Sequence, residues 1–348
     1  MTDLRYINLQ LFADVTNATT SAATGNNLSA EMKTFYDKVL LREAGPHLVH
    51  DQFGQKRDIP RGNGKTIEFR KFNQLPKALT ALTEGVTPSG GALDVTSLTA
   101  TVNQYGYFVR ITDVLDLTAI DNVAVEAAQL LGDQAGITMD TIVRNVLQGG
   151  TNVLFCPKVA AGVETAVTTR AGLDNTSQLT VKAIQRAVAT LKSKNVPTIN
   201  GKYVGIIHPY VAYDLMRDPE WVDAHKYANP TNLYTGELGE IAGVRFVEST
   251  EAKVWKDTTC PKIGSTDNHY GVFGTLILGK NAYGVTEVTG GGLQTIVKGK
   301  GSAGTADPLD QRSTVGWKGI RTAKILLEQN MVRVESVSDA WSASVEAN

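Results

Sequence analysis

The sequence predicts an α+β fold with long extended excursions, and three observations lead there. Runs with apolar residues three and four apart occur beside runs that alternate at every second position. The stretch from Ile67 to Ile111 reads as two long strands with no core of its own, and the chain closes on two further extended segments. Composition supports a folded chain: of 348 residues, 42% are hydrophobic and 20% charged, and 34 Lys and Arg stand against 35 Asp and Glu. A disordered chain has fewer apolar residues and a larger net charge, and this length suits one large domain or two moderate ones. The same balance argues against a basic surface that grips nucleic acid through its phosphates, so any DNA contact is expected to be weak.

The elements are taken in chain order. Ala13 to Asn27 is small and polar without periodicity and reads as a flexible arm. Ser29 is placed to cap a helix whose apolar face carries Met32, Phe35, Tyr36, Val39 and Leu40, ending at Gly45-Pro46. Lys65 to Phe72 alternates, with Ile67 and Phe69 on one face, as a half-buried strand does. Leu75 to Ala92 is rich in Pro and Gly, and a long return runs through Leu98, Ala100, Val102, Tyr105, Tyr107, Val109 and Ile111. The apolar positions switch parity between Val102 and Tyr105, which predicts a bulge or bend near Asn103. A lone hairpin is marginal in water, and ordering it costs about 1 to 2 kcal/mol of backbone entropy per residue. Another protein chain is the expected surface for it.

Asp121 to Gln148 is a long helix terminated by Gly149-Gly150; Gly132 and Gly136 inside it predict another backbone close by. Thr151 to Gln178 carries no clear signal. Val181, Ile184, Val188 and Leu191 mark an amphipathic helix ended by Pro197. Tyr203 to Ile207 reads as a buried strand, His208-Pro209 as a turn, and Tyr210 to Arg217 as a short helix stopped at Asp218-Pro219. Strands are expected at Val244 to Val247, Val272 to Leu278, Val285 to Val288, Thr314 to Leu327 and Met331 to Val337, with a Gly-rich run from Gly290 to Gly304.

Cys156 and Cys260 lie far apart and cannot form a disulfide framework, which points to a reducing compartment. Met1 to Asp14 has no basic region and is not a signal peptide, and no window reaches the roughly 20 apolar residues of a membrane span. The sequons at Asn17, Asn27 and Asn175 are therefore read as chance matches.

Chemistry-bearing motifs fail on context. Gly62-Asn63-Gly64-Lys65-Thr66 ends like a phosphate-binding loop, but Ile59 stands where its first glycine belongs and a strand comes next; a β-turn is the reading. Gly299 to Gly304 fits G-x-G-x-x-G, but Asp307-Pro308 blocks the helix such a fingerprint must open, so it reads as a loop. His47 and His50, beside Glu43 and Asp51, have metal-like spacing interrupted by Gly45-Pro46, and are read as partly exposed loop histidines. His208 could serve as a general base but has no partner motif and is read as a turn histidine. Tyr105, Tyr107 and Phe108 have strand spacing without basic neighbours and are expected to pack on protein. No catalytic, cofactor-binding or metal-binding residue is assigned, and no cofactor.

A polar arm with an apolar tip, a hairpin without a core and extended closing segments are what a subunit needs to embrace its neighbours. Four blocks carry a family likeness: Ile7 to Ala13 (INLQLFA), Thr83 to Asp140, Gly236 to Ser249 (GELGEIAGVRFVES) and Asp307 to Glu335. Through them the chain resembles, from end to end, the N4-like family of tailed-bacteriophage major capsid proteins. The resemblance implies the tailed-phage major capsid fold, with an N-arm at 1–28 and the start of a peripheral domain at 29–73. Next come an extended loop at 74–106 and the rest of the peripheral domain, with a long spine helix, at 107–150. An axial domain with insertions then fills 151–310, and return strands shared between the two domains occupy 311–348. It implies hexamers and pentamers of this chain in an icosahedral shell around double-stranded DNA, assembled in the bacterial host cytoplasm. Portal and scaffolding or decoration proteins are implied partners; a membrane is not. The residues expected to touch neighbouring subunits are Leu9, Leu11 and Phe12 on the arm, and Leu79, Leu82, Glu84, Val86 and Tyr105 on the loop. Two other classes stay open: a cellular compartment shell of the same fold enclosing an enzyme, and a hydrolase using His208 or His47.

Overall fold

A computed structural model describes residues 38–348 apart from 45–47, 73–74, 76, 83, 88–89, 119–122, 161, 229–238 and 265–266. The expected arm, its tip residues Leu9, Leu11 and Phe12, the Ser29 cap and His47 lie outside the described residues. A first helix, α1, covers 38–44. It is succeeded by β1 (Gln55–Lys56), β2 (Thr66–Phe72), β3 (Val95–Thr101), β4 (Asn103–Thr112), α2 (Asp113–Thr118) and α3 (Val123–Gln148). Then come β5 (Val153–Phe155), β6 (Lys158–Ala160), β7 (Val163–Thr165), α4 (Val181–Ser193), β8 (Tyr203–Ile207), α5 (Pro209–Met216) and α6 (Pro219–Ala228). The chain continues through β9 (Glu240–Ile241), β10 (Val244–Glu248), β11 (Val254–Trp255), β12 (Val272–Leu278), β13 (Tyr283–Thr286), β14 (Gln294–Lys298), β15 (Arg312–Ile325) and β16 (Met331–Val337). The mixture is α+β, as expected.

The chain divides into two compact units. One comprises the described residues up to Leu48 with Gln104–Thr138 and Gly291–Ile320; the other comprises Val49–Asn103, Met139–Gly290 and Arg321–Asn348. The second unit is built on a seven-stranded sheet in the order β5-β16-β12-β8-β10-β9, with β11 added to β12. Both of its faces are covered. Tyr203, Ile207, Phe273, Ile277, Val332 and Val334 pack with Ile184, Leu191 and Leu215 of α4 and α5. On the other face Ile206, Leu276, Leu278 and Met331 pack with Val143 and Leu147 of α3 and with Tyr283 and Ala323. That double cover explains why β8, β12 and β16 are buried at every position, including the polar residues Arg333, Glu335 and Ser336 of β16. The same unit holds the antiparallel pair β2 and β3. Phe69 of β2 fills the space that a side chain at Gly284 of β13 would take, 2.7 Å from its ideal Cβ.

In the first unit β15 pairs with β14 and with β4. Gly106 and Gly316 permit the close approach of β4 and β15: a Cβ on either would lie 2.6 Å from the opposite strand. Leu131, Ala128 and Ala135 of α3 are buried there, as are Leu40 of α1 and Trp317, whose Nε1 donates to Gln134 Oε1 at 3.2 Å. Gly132 meets the close backbone predicted for it, since its ideal Cβ lies 2.9 Å from the Leu40 carbonyl oxygen.

Several local expectations need correction. Helix α4 stops at Ser193, short of Pro197, because Asn195 takes a left-handed φ of 52° just beyond the C-cap. His208-Pro209 is a helix start: His208 is the N-cap of α5, with Pro209 at the first turn, where its missing N–H costs nothing. Asp218-Pro219 likewise opens α6, with Asp218 Oδ1 accepting from the Glu220 amide at 3.0 Å. The unassigned stretch after α3 contains β5, which joins the main sheet, and the small hairpin β6–β7. Strand β13 begins at Tyr283, and Val288 makes only an isolated bridge to Ile59. The parity switch is an interruption at buried Val102, where β3, paired to β2, gives way to β4, paired to β15.

Candidate assembly surface

In the loop between β2 and β3 the large apolar side chains of the described residues are exposed. Leu79 is 86% and Leu82 78% exposed, and Leu75, Val86 and Leu93 are also open to solvent. Glu84 is exposed on a turn whose next residue, Gly85, has a φ of 79°. Tyr105 is half-buried on β4, in the first unit, while the other described loop candidates belong to the second.

A second exposed apolar set went unread in the sequence. Helix α2 buries none of its residues, and Leu117 is 81% exposed beside exposed Val114 and Leu115. Its backbone is nevertheless held: the Asp113 amide donates to the Gln311 carbonyl at 3.0 Å, the Leu115 amide to Thr112 Oγ1 at 3.4 Å, and Asp116 pairs with Lys300 at 2.8 Å. The only signal in the sequence was a Thr-Asp cap ahead of three apolar residues lacking helical or strand period. Tyr107, Phe108 and Val109 on β4 are exposed as well, so the chain itself does not supply the protein surface expected for Tyr107 and Phe108. Exposed apolar side chains grouped in this number are what protein contact sites use.

The titratable groups that could have carried catalysis are used structurally. His50, expected to be partly exposed, is fully buried: its Nδ1 lies 2.6 Å from Asp140 Oδ2, and its amide donates to Asp140 Oδ1 at 2.7 Å. The Tyr283 hydroxyl donates to the His50 carbonyl, and burial drives that phenol far above its usual range. Neighbouring Asp51 is held 3.4 Å from Arg321. His208 Nδ1 accepts from the Tyr210 amide at 3.2 Å, and its ring packs against both Tyr210 and Phe273. Burial lowers its pKa to about 4, so it is neutral at pH 7. Cys156 is a free buried thiol pushed up to about 12 by desolvation, which makes it a poor nucleophile. Among the described residues no group of His, Cys, Asp and Glu is arranged to hold a metal, and no helix is long and apolar enough to cross a membrane.

The most elaborate polar arrangement is a clamp. Arg170 forks onto fully buried Glu335 with two bonds of 2.7 Å, and Arg333 adds a third at 2.9 Å. Both guanidinium groups lie over Trp255, Arg170 at 3.9 Å and Arg333 at 5.4 Å. Burial lowers the pKa of Arg333, and Glu335 opposes that shift. The clamp ties the 151–178 segment and β11 to β16.

The fold is that of tailed-phage major capsid proteins, as solved phage capsid structures show. The capsid protein of cyanophage P-SCSP1u superposes with a TM-score of 0.62 at 15% identity, covering 84% of this chain and 88% of that one. For the capsid of Ralstonia phage GP4 the TM-score is 0.61 at 15% identity, with 83% and 88% covered. For cyanophage Pam1 it is 0.60 at 14% identity, with 87% and 93% covered. These likenesses establish the fold. No curated protein matches the chain in sequence. Residues 48–303 match the model of the phage capsid protein family. The chain belongs to that family: it is a structural major capsid protein of the virion, built into a shell from copies of itself, and it is not an enzyme. Neither the enzyme-enclosing compartment nor the hydrolase is favoured.

Proposed function

We propose that this chain is the major capsid subunit of an N4-like tailed phage, forming the hexamers and pentamers of an icosahedral shell around double-stranded DNA. The observation that carries the reading is the loop at 75–94, whose leucines stand in water in the isolated chain. A permanent interface typically buries about 2,000 to 5,000 Å², and apolar side chains on an arm are an economical way to reach it without enlarging the core. Residues 1–28 serve as the N-arm, 74–106 as the extended loop, 29–73 and 107–150 as the peripheral domain with α3 as its spine, 151–310 as the axial domain and 311–348 as the shared return strands. Leu9, Leu11, Phe12, Leu79, Leu82, Glu84, Val86 and Tyr105 contact neighbouring subunits.

The near-neutral charge suits a wall that packaged DNA presses on through weak, non-specific contacts. Portal and scaffolding or decoration proteins complete the particle, which assembles in the bacterial host cytoplasm. Deleting 75–94 tests the reading. The expected outcome is soluble subunits with native far-UV circular dichroism that form no shells by electron microscopy; shells of normal size from the deleted protein would remove the loop from assembly.

A further inference from the structure

The first unit contains a cleft of about 460 Å³ lined by Phe108, Arg110, Lys298, Ser302, Asp307 and Arg312, among others. Strand order places its cations: Arg110 is on β4, Arg312 opens β15, and Lys298 ends β14, opposite Thr314 of β15. The carboxylate in the cleft is engaged, since Asp307 Oδ2 accepts from the Arg312 amide at 2.9 Å and lies 3.8 Å from its guanidinium. Nearby Lys300 is paired to Asp116. Arg110 lies over the Phe108 ring at 5.4 Å, and among the described residues neither it nor Lys298 has a carboxylate in ion-pair range. Among the described lining residues, three cations thus face a single anion, an imbalance that favours an incoming negative group.

The edge of the cleft is apolar. Phe108, which lines the cleft, is 53% exposed, and exposed Leu309 follows Asp307 by two residues. Phosphate needs no such rim, whereas a protein carboxylate flanked by apolar residues fits it. This chain carries that pattern. Glu84 is the only acid between Leu75 and Leu93, it sits on an exposed turn, and exposed Leu82 and Val86 flank it.

We infer that the cleft of Arg110, Lys298 and Arg312 receives the Glu84 carboxylate of a second copy of this chain, with Leu82 and Val86 of that copy lying on the exposed Phe108 ring and the apolar surface beside it. The inference rests on the reading of the 75–94 loop as an assembly arm and names the surface it engages. A carboxylate on two or more guanidinium or ammonium groups makes short charge-assisted hydrogen bonds, which also fix the register of the loop on its neighbour.

Charge exchange tests it on the full chain. Glu84→Lys alone, and Arg110→Glu with Lys298→Glu, are each expected to lose shells in electron microscopy and sedimentation while keeping native far-UV circular dichroism. Combining all three substitutions is expected to restore shell yield. Normal shells from Glu84→Lys, or no restoration in the combined variant, would overturn the pairing. If the reversed cleft fails to fold, Glu84→Gln and Arg110→Gln give the same information: non-additive losses of shell yield support the pair and additive losses overturn it. Titration with inorganic phosphate and with duplex DNA separates the other source of anion. Binding that depends on Arg110 and Lys298, together with assembly insensitive to Glu84, would make the cleft a phosphate site and sink the inference. The loop deletion distinguishes the two failures: if it abolishes shells while Glu84→Lys does not, the arm stands and only its docking site falls.

Discussion

Glu335 illustrates how a buried charge depends on its partners. It is fully buried and bonded to both Arg170 and Arg333, so Glu335→Ala leaves two guanidinium groups in the interior without an anion. Breaking a buried pair from one side costs about 3 to 5 kcal/mol, and urea unfolding of assembly-blocked subunits is expected to show a loss of that order. His208 gives a pH dependence. Burial holds its folded pKa near 4, below the ordinary value of 6.5, so the unfolded chain takes up the proton first as pH falls. This contribution to stability is complete above about 6.5 and is lost between there and pH 4. His208→Asn keeps an oxygen to accept from the Tyr210 amide, and is expected to remove that part of the acid destabilisation while preserving α5. A steeper loss in the variant than in the parent would contradict the assignment. None of these partnerships was legible in the sequence: His50 meets Asp140 across 90 positions, and Arg170 meets Glu335 across 165. A spacing motif records neighbours along the chain, whereas these contacts exist only once the main sheet has formed.

Among the elements, α3 and α2 make opposite predictions. In α3 an alanine at Gly132 brings about 1 kcal/mol of helix propensity. Its Cβ, however, has backbone at 2.9 Å and the Glu43 Cβ at 3.0 Å, so α1 must be displaced. Gly132→Ala is therefore expected to lower the melting temperature despite the better helix former; a rise would show that α1 yields freely. In α2 nothing is buried, so Val114→Asp with Leu117→Asp is expected to leave subunit melting unchanged and to suppress shell formation. A fall in melting temperature would mean that these side chains support the subunit itself. Long elements were readable because pattern and burial agree over many residues: β12 and β16 begin and end at the residues the sequence indicates. Caps were misread for a local reason. Asp-Pro and His-Pro dipeptides suit a helix start as well as a turn, and the packing of the next residues against the rest of the fold decides between them.

At the scale of the whole molecule, the subunit is a covered sheet that carries uncovered extensions. The sheet needs no partner, as its strands are buried on both faces by the chain's own helices and strands. The extensions carry exposed leucines whose burial, at about 25 cal/mol per Å² of apolar surface, is realised only on assembly. Assembly of the intact chain is accordingly expected to weaken on cooling, because hydrophobic stabilisation fades at low temperature. Sedimentation of shells between 5 and 30 °C (about the range in which that change is measurable) would show it, and cold-insensitive shells would place the association energy in polar contacts instead. By itself, the amino-acid order determined the α+β class, the buried strands and the long helix, whereas the single hairpin expected from Ile67 to Ile111 is divided between β3, paired to β2, and β4, paired to β15. The class, the strands and the helix rest on periodicity and on the balance of apolar against polar residues within a short window. Only the tertiary structure decided which charges meet in the interior, which Pro dipeptides open helices, and that α2 and the β4 aromatics face water. Those outcomes depend on which segments, distant along the chain, come within a few ångströms of one another, and local pattern carries no record of that distance.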